Sequence, residues 1–188
     1  HQIEIVDTDG TAFYQFLMLF NSSDTKKRLP MRAAFITDED QFTDSKDKEY
    51  NLDNLVENGY AKLNILRERI NSGQVSGRIN NMKAMANNQA TISICSGQKT
   101  LEYQICRANV SANKEETKGT WLYELIQKIN SEGIVKVNSY MSGLEDRDMN
   151  EVEQQNVALL MWKCIPGKAG FAQILNSFLL DKIDEAEE

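Results

Sequence analysis

The chain has 188 residues, a length that suits one domain with a full hydrophobic core. It carries 28 acidic and 21 basic residues, a formal net charge of -7, which argues against a surface that binds nucleic acid throughout but leaves room for a local site. The sequence contains no apolar run of membrane-spanning length and no signal-peptide pattern, so we expect a cytoplasmic protein without membrane contact.

Cysteine and histidine usage excludes several enzyme classes. The three cysteines, Cys95, Cys106 and Cys164, lie far apart and show no paired spacing. We therefore expect reduced, buried thiols and neither a disulfide nor a zinc site. The only histidine is His1, so a Ser-His-Asp or Cys-His mechanism has no internal base.

A strand, a helix and a basic loop are predicted first along the chain. Residues 2–6 contain three β-branched residues, which favour a strand. Residues 11–20 are apolar almost all round, which predicts a largely buried helix. A dense basic cluster follows, at Lys26, Lys27, Arg28 and Arg32. A solvated loop explains this cluster, and contact with backbone phosphates is the alternative.

The next predicted strand ends in two aspartates. Residues 32–37 form a short, mainly apolar run, which is typical of a buried parallel strand. Asp38 and Asp40 follow, and residues two apart in an extended segment point the same way. Two close carboxylates repel unless a cation or a proton lies between them. The pattern favours a Mg²⁺ or Mn²⁺ site, and an acidic turn is the alternative.

A helical segment separates this strand from the next one. Apolar residues recur at helical spacing over residues 52–88, and Gly73 and Gly77 interrupt the pattern. A strand is then predicted at residues 90–95. Thr100 is a suitable N-cap for a helix over residues 101–108. Glu102 falls in the first turn of that helix, where the helix dipole alone is enough to explain a carboxylate.

We expect helices again from about residue 119. An amphipathic helix begins at Trp121 and is predicted to stop at Gly133. Residues 134–137 suit a short strand or an extended connector, residues 142–150 an acidic loop, and residues 151–165 a further helix.

The last predicted helix begins at Lys168, directly after Pro166 and Gly167. A lysine in a first helical turn lies at the unfavourable end of the dipole. Together with the free N–H groups of the helix, however, it would hold an anion such as phosphate. The segment is not a P-loop, because no glycine lies five residues before Gly167 and no Ser or Thr follows the lysine.

Three strands separated by helices predict an α/β fold, with a parallel sheet and helices on both faces. The predicted core residues are Ile3, Ile5, Phe16, Leu19, Phe35, Ile36, Ile92, Ile94, Leu122, Phe171 and Leu175.

Four stretches, in this order, resemble the TOPRIM domain of OLD-family (overcoming lysogenization defect) ATP-dependent endonucleases. They are Ile5-Val6-x-x-x-Gly10-Thr11-Ala12-Phe13 with Leu19-Phe20, the D-x-D stretch Ile36-Thr37-Asp38-Glu39-Asp40, the T-L-E stretch Thr100-Leu101-Glu102, and Gly167-Lys168-x-Gly170-Phe171-Ala172-Gln173. The resemblance implies a TOPRIM-like (Rossmann-like) domain over residues 1–188, with a helical insertion at about 46–88 and C-terminal helices from about 119.

The resemblance also implies a DNA endonuclease that nicks or cleaves with two Mg²⁺ or Mn²⁺ ions. Asp38 and Asp40 would ligate the metals, Glu102 would complete the ligand set, and Asp44 would support or replace a ligand. Lys168 would stabilise the scissile phosphate. The implied partners are DNA and the N-terminal ATPase domain of the parent chain, in which ATP would bind, and homo-oligomerisation is left open. The implied pathways are phage defence and DNA repair.

The chain departs from the family pattern in two ways. The glutamate that follows the first TOPRIM strand in the family should precede Gln2, and no Walker A sequence is present. We therefore expect an N-terminally incomplete, C-terminal fragment that binds metal weakly and cleaves DNA poorly or not at all on its own.

Two alternatives come from other functional classes. Asp7-Thr8-Asp9-Gly10-Thr11 resembles the nucleophile loop of haloacid-dehalogenase-type phosphatases. Asp7 would then attack phosphate and Asp9 would act as general acid and base, with Ser96, Lys136 and one of Asp146 and Asp148 in the remaining roles. The third interpretation is a non-catalytic interaction module whose carboxylates are simply solvated.

Overall fold

The computed structural model describes residues 13–22, 24, 26–39, 47–73, 77–86 and 91–187. The predicted strand at residues 2–6, with Ile3 and Ile5, lies outside the described residues. So do four of the candidate site residues, namely Asp7, Asp9, Asp40 and Asp44.

The described part contains two strands, β1 Ala33–Asp38 and β2 Ile92–Gly97. Its α-helices, in chain order, are α1 Phe13–Phe20, α2 Leu52–Val56, α3 Ala61–Ser72, α4 Gly77–Ala86, α5 Leu101–Ala108, α6 Lys114–Lys118, α7 Trp121–Ile129, α8 Ser131–Ser142, α9 Glu151–Cys164 and α10 Lys168–Glu187. Short 3₁₀ turns, Asp47–Tyr50 and Asn58–Tyr60, flank α2.

The two strands pair in parallel, as predicted, and β1 and β2 lie within one or two residues of their predicted positions. Ala33 is paired with Ile92 and Asp38 with Gly97, so both strands end at the same edge of the sheet. The helices α2, α3 and α4 form the crossover between them. The mixed α/β class is therefore confirmed.

In the described part, one face of the sheet is packed and the other is exposed. Leu17 of α1 and Met82 of α4 pack with Ile92 and with the partly buried Phe35. On the opposite face, Ile36 is 72% exposed. Helices on both faces, the arrangement that the sequence predicted, are thus not found among the described residues.

The predicted core is only partly correct. Ile92, Leu122 and Phe171 are buried, whereas Phe35, Ile94 and Leu175 are only partly buried. The prediction that Phe16, Leu19 and Ile36 are core residues was wrong, because all three are exposed. Ile36 lies on the uncovered sheet face, and of the side chains described in α1 only Leu17 is fully buried.

The larger hydrophobic core surrounds α9. Val157, Leu159, Leu160 and Met161 are all fully buried, so the middle of this helix is enclosed by its neighbours. A capping box begins α9: the Asn150 side chain accepts from the backbone N–H of Glu153, whose carboxylate accepts from the backbone N–H of Asn150.

The prediction of a helix stop at Gly133, followed by a strand or connector at 134–137, was wrong. These residues belong to α8, which is capped by Asn130. The Asn130 side chain accepts from the Gly133 N–H at 2.8 Å. A Cβ at Gly133 would lie 2.7 Å from the sulfur of Cys164. Gly133 therefore marks a close contact between helices.

The cysteines also depart from expectation at one position. All three are free, as predicted, and Cys106 and Cys164 are buried. Cys95 is exposed, because it follows Ile94 in β2 and points to the uncovered face of the sheet. Within the described ranges, none of the helices combines the length and hydrophobicity needed to cross a bilayer.

Candidate functional site

The carboxyl ends of β1 and β2 form one end of the candidate site. Asp38, the last residue of β1, is paired with Gly97. The ladder continues one residue further, since the backbone N–H of Glu39 donates to the Gly97 carbonyl at 2.9 Å. In α/β sheets, ligands bind just outside such strand ends.

Glu39 is a structural anchor that the sequence analysis did not single out. Its Oε1 accepts a hydrogen bond from the Ser96 hydroxyl at 2.8 Å and lies 3.3 Å from the Lys83 ammonium. These contacts tie the end of β1 to β2 and to α4. Because side chains alternate along a strand, Asp38 points to the opposite side from Glu39. This alternation within Asp-Glu-Asp is the sequence signal that could have distinguished Glu39, which anchors the strand end, from Asp38, the candidate ligand.

The turn between β2 and α5 is fixed by the side chain and carbonyl of Gln98. Its amide donates to the Ile70 carbonyl at 3.2 Å and accepts from Arg107 at 3.2 Å. Its backbone carbonyl accepts from Gln104 at 3.1 Å. Lys99 comes next, and its φ of +66° is left-handed, a conformation that costs a non-glycine residue roughly 1–2 kcal/mol.

Helix α5 begins as the sequence predicted. The Thr100 side chain accepts from the Tyr103 N–H at 3.3 Å and caps the helix. Glu102 is half-buried in the first turn. Tyr103 is fully buried behind it, and this burial raises the pKa of the Tyr103 hydroxyl to about 12.

Glu102 lines a cavity of about 290 Å³ that also reaches the start of α10. The lining residues are Lys99, Thr100, Glu102, Trp162, Lys163, Ile165, Pro166 and Gly167. Segments far apart in the chain therefore meet here: the start of α5, the end of α9, and the turn that leads into α10. Lys168 is the first residue of α10, and its side chain lies outside the described part.

The described lining side chains are more basic than acidic. Two lysines, Lys99 and Lys163, and one carboxylate, that of Glu102, line the cavity. The chain as a whole carries a charge of -7. The Lys163 ammonium lies 4.0 Å from the centroid of the Trp162 ring, a cation–π contact. Trp162 also contacts Tyr103, at 5.9 Å between ring centroids.

Of the predicted site residues whose side chains the structure describes, Glu102 lines this cavity and Asp38 does not. Glu102 and the residues directly before Lys168 share one cavity, whereas Asp38 is not among its lining residues. Asp38 lies at the end of the strand beside the one that leads into α5. The sequence analysis missed Lys99 and Lys163, since neither lies in a recognisable motif.

The described part contains two of the four metal ligands that the sequence predicts, Asp38 and Glu102. Asp38 and Glu102 carry hard oxygen ligands of the kind that Mg²⁺ and Mn²⁺ prefer, so their chemistry fits a metal site. Within the described residues, no three His, Cys, Asp or Glu side chains are grouped closely enough to hold a metal ion. Asp40 and Asp44 lie outside these residues.

The basic cluster at Lys26, Lys27, Arg28 and Arg32 lies at the other end of β1. It precedes Ala33, the first residue of the strand, and Asp38 is the last. At about 3.3 Å per residue, the two ends of this strand are roughly 17 Å apart. Arg32, which directly precedes this strand, therefore lies at the opposite end of β1 from the Asp38 carboxylate.

Residues of the phosphatase alternative lie in separate parts of the structure. The Ser96 hydroxyl is bound to Glu39 at the sheet. Lys136 lies in α8 and forms an ion pair with Asp53 of α2. Asp146 and Asp148 are exposed in the loop that follows α8.

Comparison of the chain with protein-family models, with curated proteins and with solved structures gives no match. We therefore argue its function from the residues and the geometry of the site.

Proposed function

We propose that this chain is the nuclease domain of an OLD-family ATP-dependent endonuclease, and that it hydrolyses phosphodiester bonds of DNA with Mg²⁺ or Mn²⁺. The observation that carries the proposal is the cavity that Glu102 shares with Pro166 and Gly167. The T-L-E stretch and the lysine stretch are remote in sequence, and a shared active site is a reason for them to meet.

The arrangement of the strands supports the same location. β1 and β2 are parallel, they are joined through helices, and both end at one edge, as the strands of a TOPRIM-like (Rossmann-like) sheet would. Asp38 ends one of these strands, and the other leads within a few residues to Glu102. The two carboxylates are therefore held by adjacent elements.

Each candidate residue has a distinct role in the proposed mechanism. Asp38, Asp40 and Glu102 would hold two divalent ions, with Asp44 in support, and the bound ions would stabilise charge on the attacking and leaving oxygens. Lys168 and the free N–H groups at the start of α10 would bind the scissile phosphate. The buried thiols of Cys106 and Cys164 take no part, since burial raises the pKa of Cys106, and raises that of Cys164 to about 12.

The proposal also defines the partners. They are DNA and an ATP-binding ATPase domain on the parent chain, in the cytoplasm. Among the described residues, no observation favours the phosphatase or the interaction module over the nuclease.

Plasmid cleavage tests the proposal. We expect the purified chain to nick supercoiled DNA slowly in MnCl₂ and to lose this activity in EDTA. Glu102→Gln and Asp38→Asn should each lower the rate by more than about tenfold, because changes around bound metals commonly cost 10- to 100-fold. Glu124→Gln is the matched control, since Glu124 is an exposed carboxylate of α7 that does not line the cavity. Equal rates for wild type and Glu102→Gln would contradict the proposal.

A further inference from the structure

We propose that Lys99 and Lys163 form a phosphate-binding wall of the cavity and contact the DNA backbone beside the scissile phosphate. The proposal rests on the nuclease function for the identity of the anion. It adds two residues whose role is to bind the substrate and not to hold metal or carry out the reaction.

The burial and backbone conformation of Lys99 support the proposal. Lys99 is only 7% exposed, and lysine is among the residues least often buried. Its left-handed backbone, with φ of +66°, is a conformation in which glycine is the ordinary choice. Lys99 also lines the cavity, where its positive charge would favour an anion such as phosphate.

Lys163 reaches the same cavity from another element. It lies in the last turn of α9, where the helix dipole favours a basic residue. The dipole does not determine which way the side chain points. The contact with the Trp162 ring, at 4.0 Å, holds the ammonium beside a residue that lines the cavity, and Trp162 is in turn packed against the buried Tyr103.

The charge of the residues that line the cavity supports the proposal. A chain of net charge -7 repels DNA on average, so binding requires a local surplus of positive charge at the site. Two lysines against one carboxylate among the described lining residues provide that surplus.

The test is DNA binding without cleavage. The full 188-residue chain is titrated against a fluorescein-labelled duplex in EDTA, and fluorescence anisotropy is measured over a series of KCl concentrations. Each phosphate contact contributes about 0.9 to the slope of log K against log[KCl]. Lys99→Met and Lys163→Met should therefore each reduce the slope by about 0.9 and weaken binding at low salt.

Three further variants control for folding and for charge. Lys128→Met removes the same charge from a lysine that also lies over an aromatic ring, Phe178 at 5.7 Å, but outside the cavity, and it should leave the slope unchanged. Lys99→Gly suits the left-handed turn and should fold well yet bind as weakly as Lys99→Met. Lys99→Arg keeps the charge and should retain binding.

The outcomes separate the two proposals. If wild type shows no binding, or if both lysine variants bind as Lys128→Met does, the phosphate-binding wall is overturned, whatever the cleavage assay shows. If binding depends on the two lysines but the wild-type chain never cleaves DNA in MnCl₂, the nuclease proposal fails and the lysine assignment stands.

Discussion

Removing the Ser96 hydroxyl tests whether Glu39 anchors the end of β1. Ser96→Ala deletes the 2.8 Å hydrogen bond to the Glu39 carboxylate. The Glu39 side chain is only 16% exposed. A hydrogen bond to a charged group contributes about 1.5–3 kcal/mol. A second partner of Glu39, Lys83, is 43% exposed, and an exposed ion pair contributes about 0–1 kcal/mol. The hydrogen bond should therefore matter more than the ion pair.

Urea unfolding followed by circular dichroism measures this difference. We expect Ser96→Ala to lower the free energy of unfolding by about 2 kcal/mol and Lys83→Met to lower it by less than about 1 kcal/mol. Glu39→Gln should make the effect of Ser96→Ala smaller, because the two residues share one interaction. A cost for Lys83→Met that equals or exceeds that of Ser96→Ala would refute the reasoning.

Two matched pairs test the packing of the helical part by the same measurement. Gly133→Ala should lose about 1–3 kcal/mol, because its Cβ would lie 2.7 Å from a buried sulfur, whereas Gly77→Ala, with open space around it, should gain up to about 1 kcal/mol. Tyr103→Phe should cost little, since this buried hydroxyl has no hydrogen-bond partner among the described residues. Tyr140→Phe should cost about 1 kcal/mol, because it loses the bond from Asn156 at 2.9 Å. Equal costs within either pair would contradict these assignments.

Local sequence signals predicted the strands and the cap of α5 well. A short apolar run bounded by turn residues identifies β1, and Thr100 caps α5 as its position before a helical pattern predicts. These features depend on residues that are neighbours in the chain. The same kind of signal failed at residues 134–137, where β-branched residues favoured a strand and packing against α9 holds a helix.

Burial and site geometry depend on contacts that no local pattern contains. Ile36 has the hydrophobicity of a core residue, but its exposure follows from what covers its face of the sheet. The meeting of Glu102 with Gly167 could be anticipated only through resemblance to a family. Lys99 and Lys163 carry no sequence signal at all, because their interest arises only from the cavity that they line.

Calorimetric titration of the chain with MnCl₂ is the most direct test of the central claim, that Asp38 and Glu102 serve one metal site. We expect Mn²⁺ to bind the wild-type chain, and Asp38→Asn and Glu102→Gln each to weaken binding by more than about tenfold. The double variant should lose less than the sum of the two effects, since both residues would serve the same ions. Titration curves for both single variants that match that of Glu124→Gln would contradict the account.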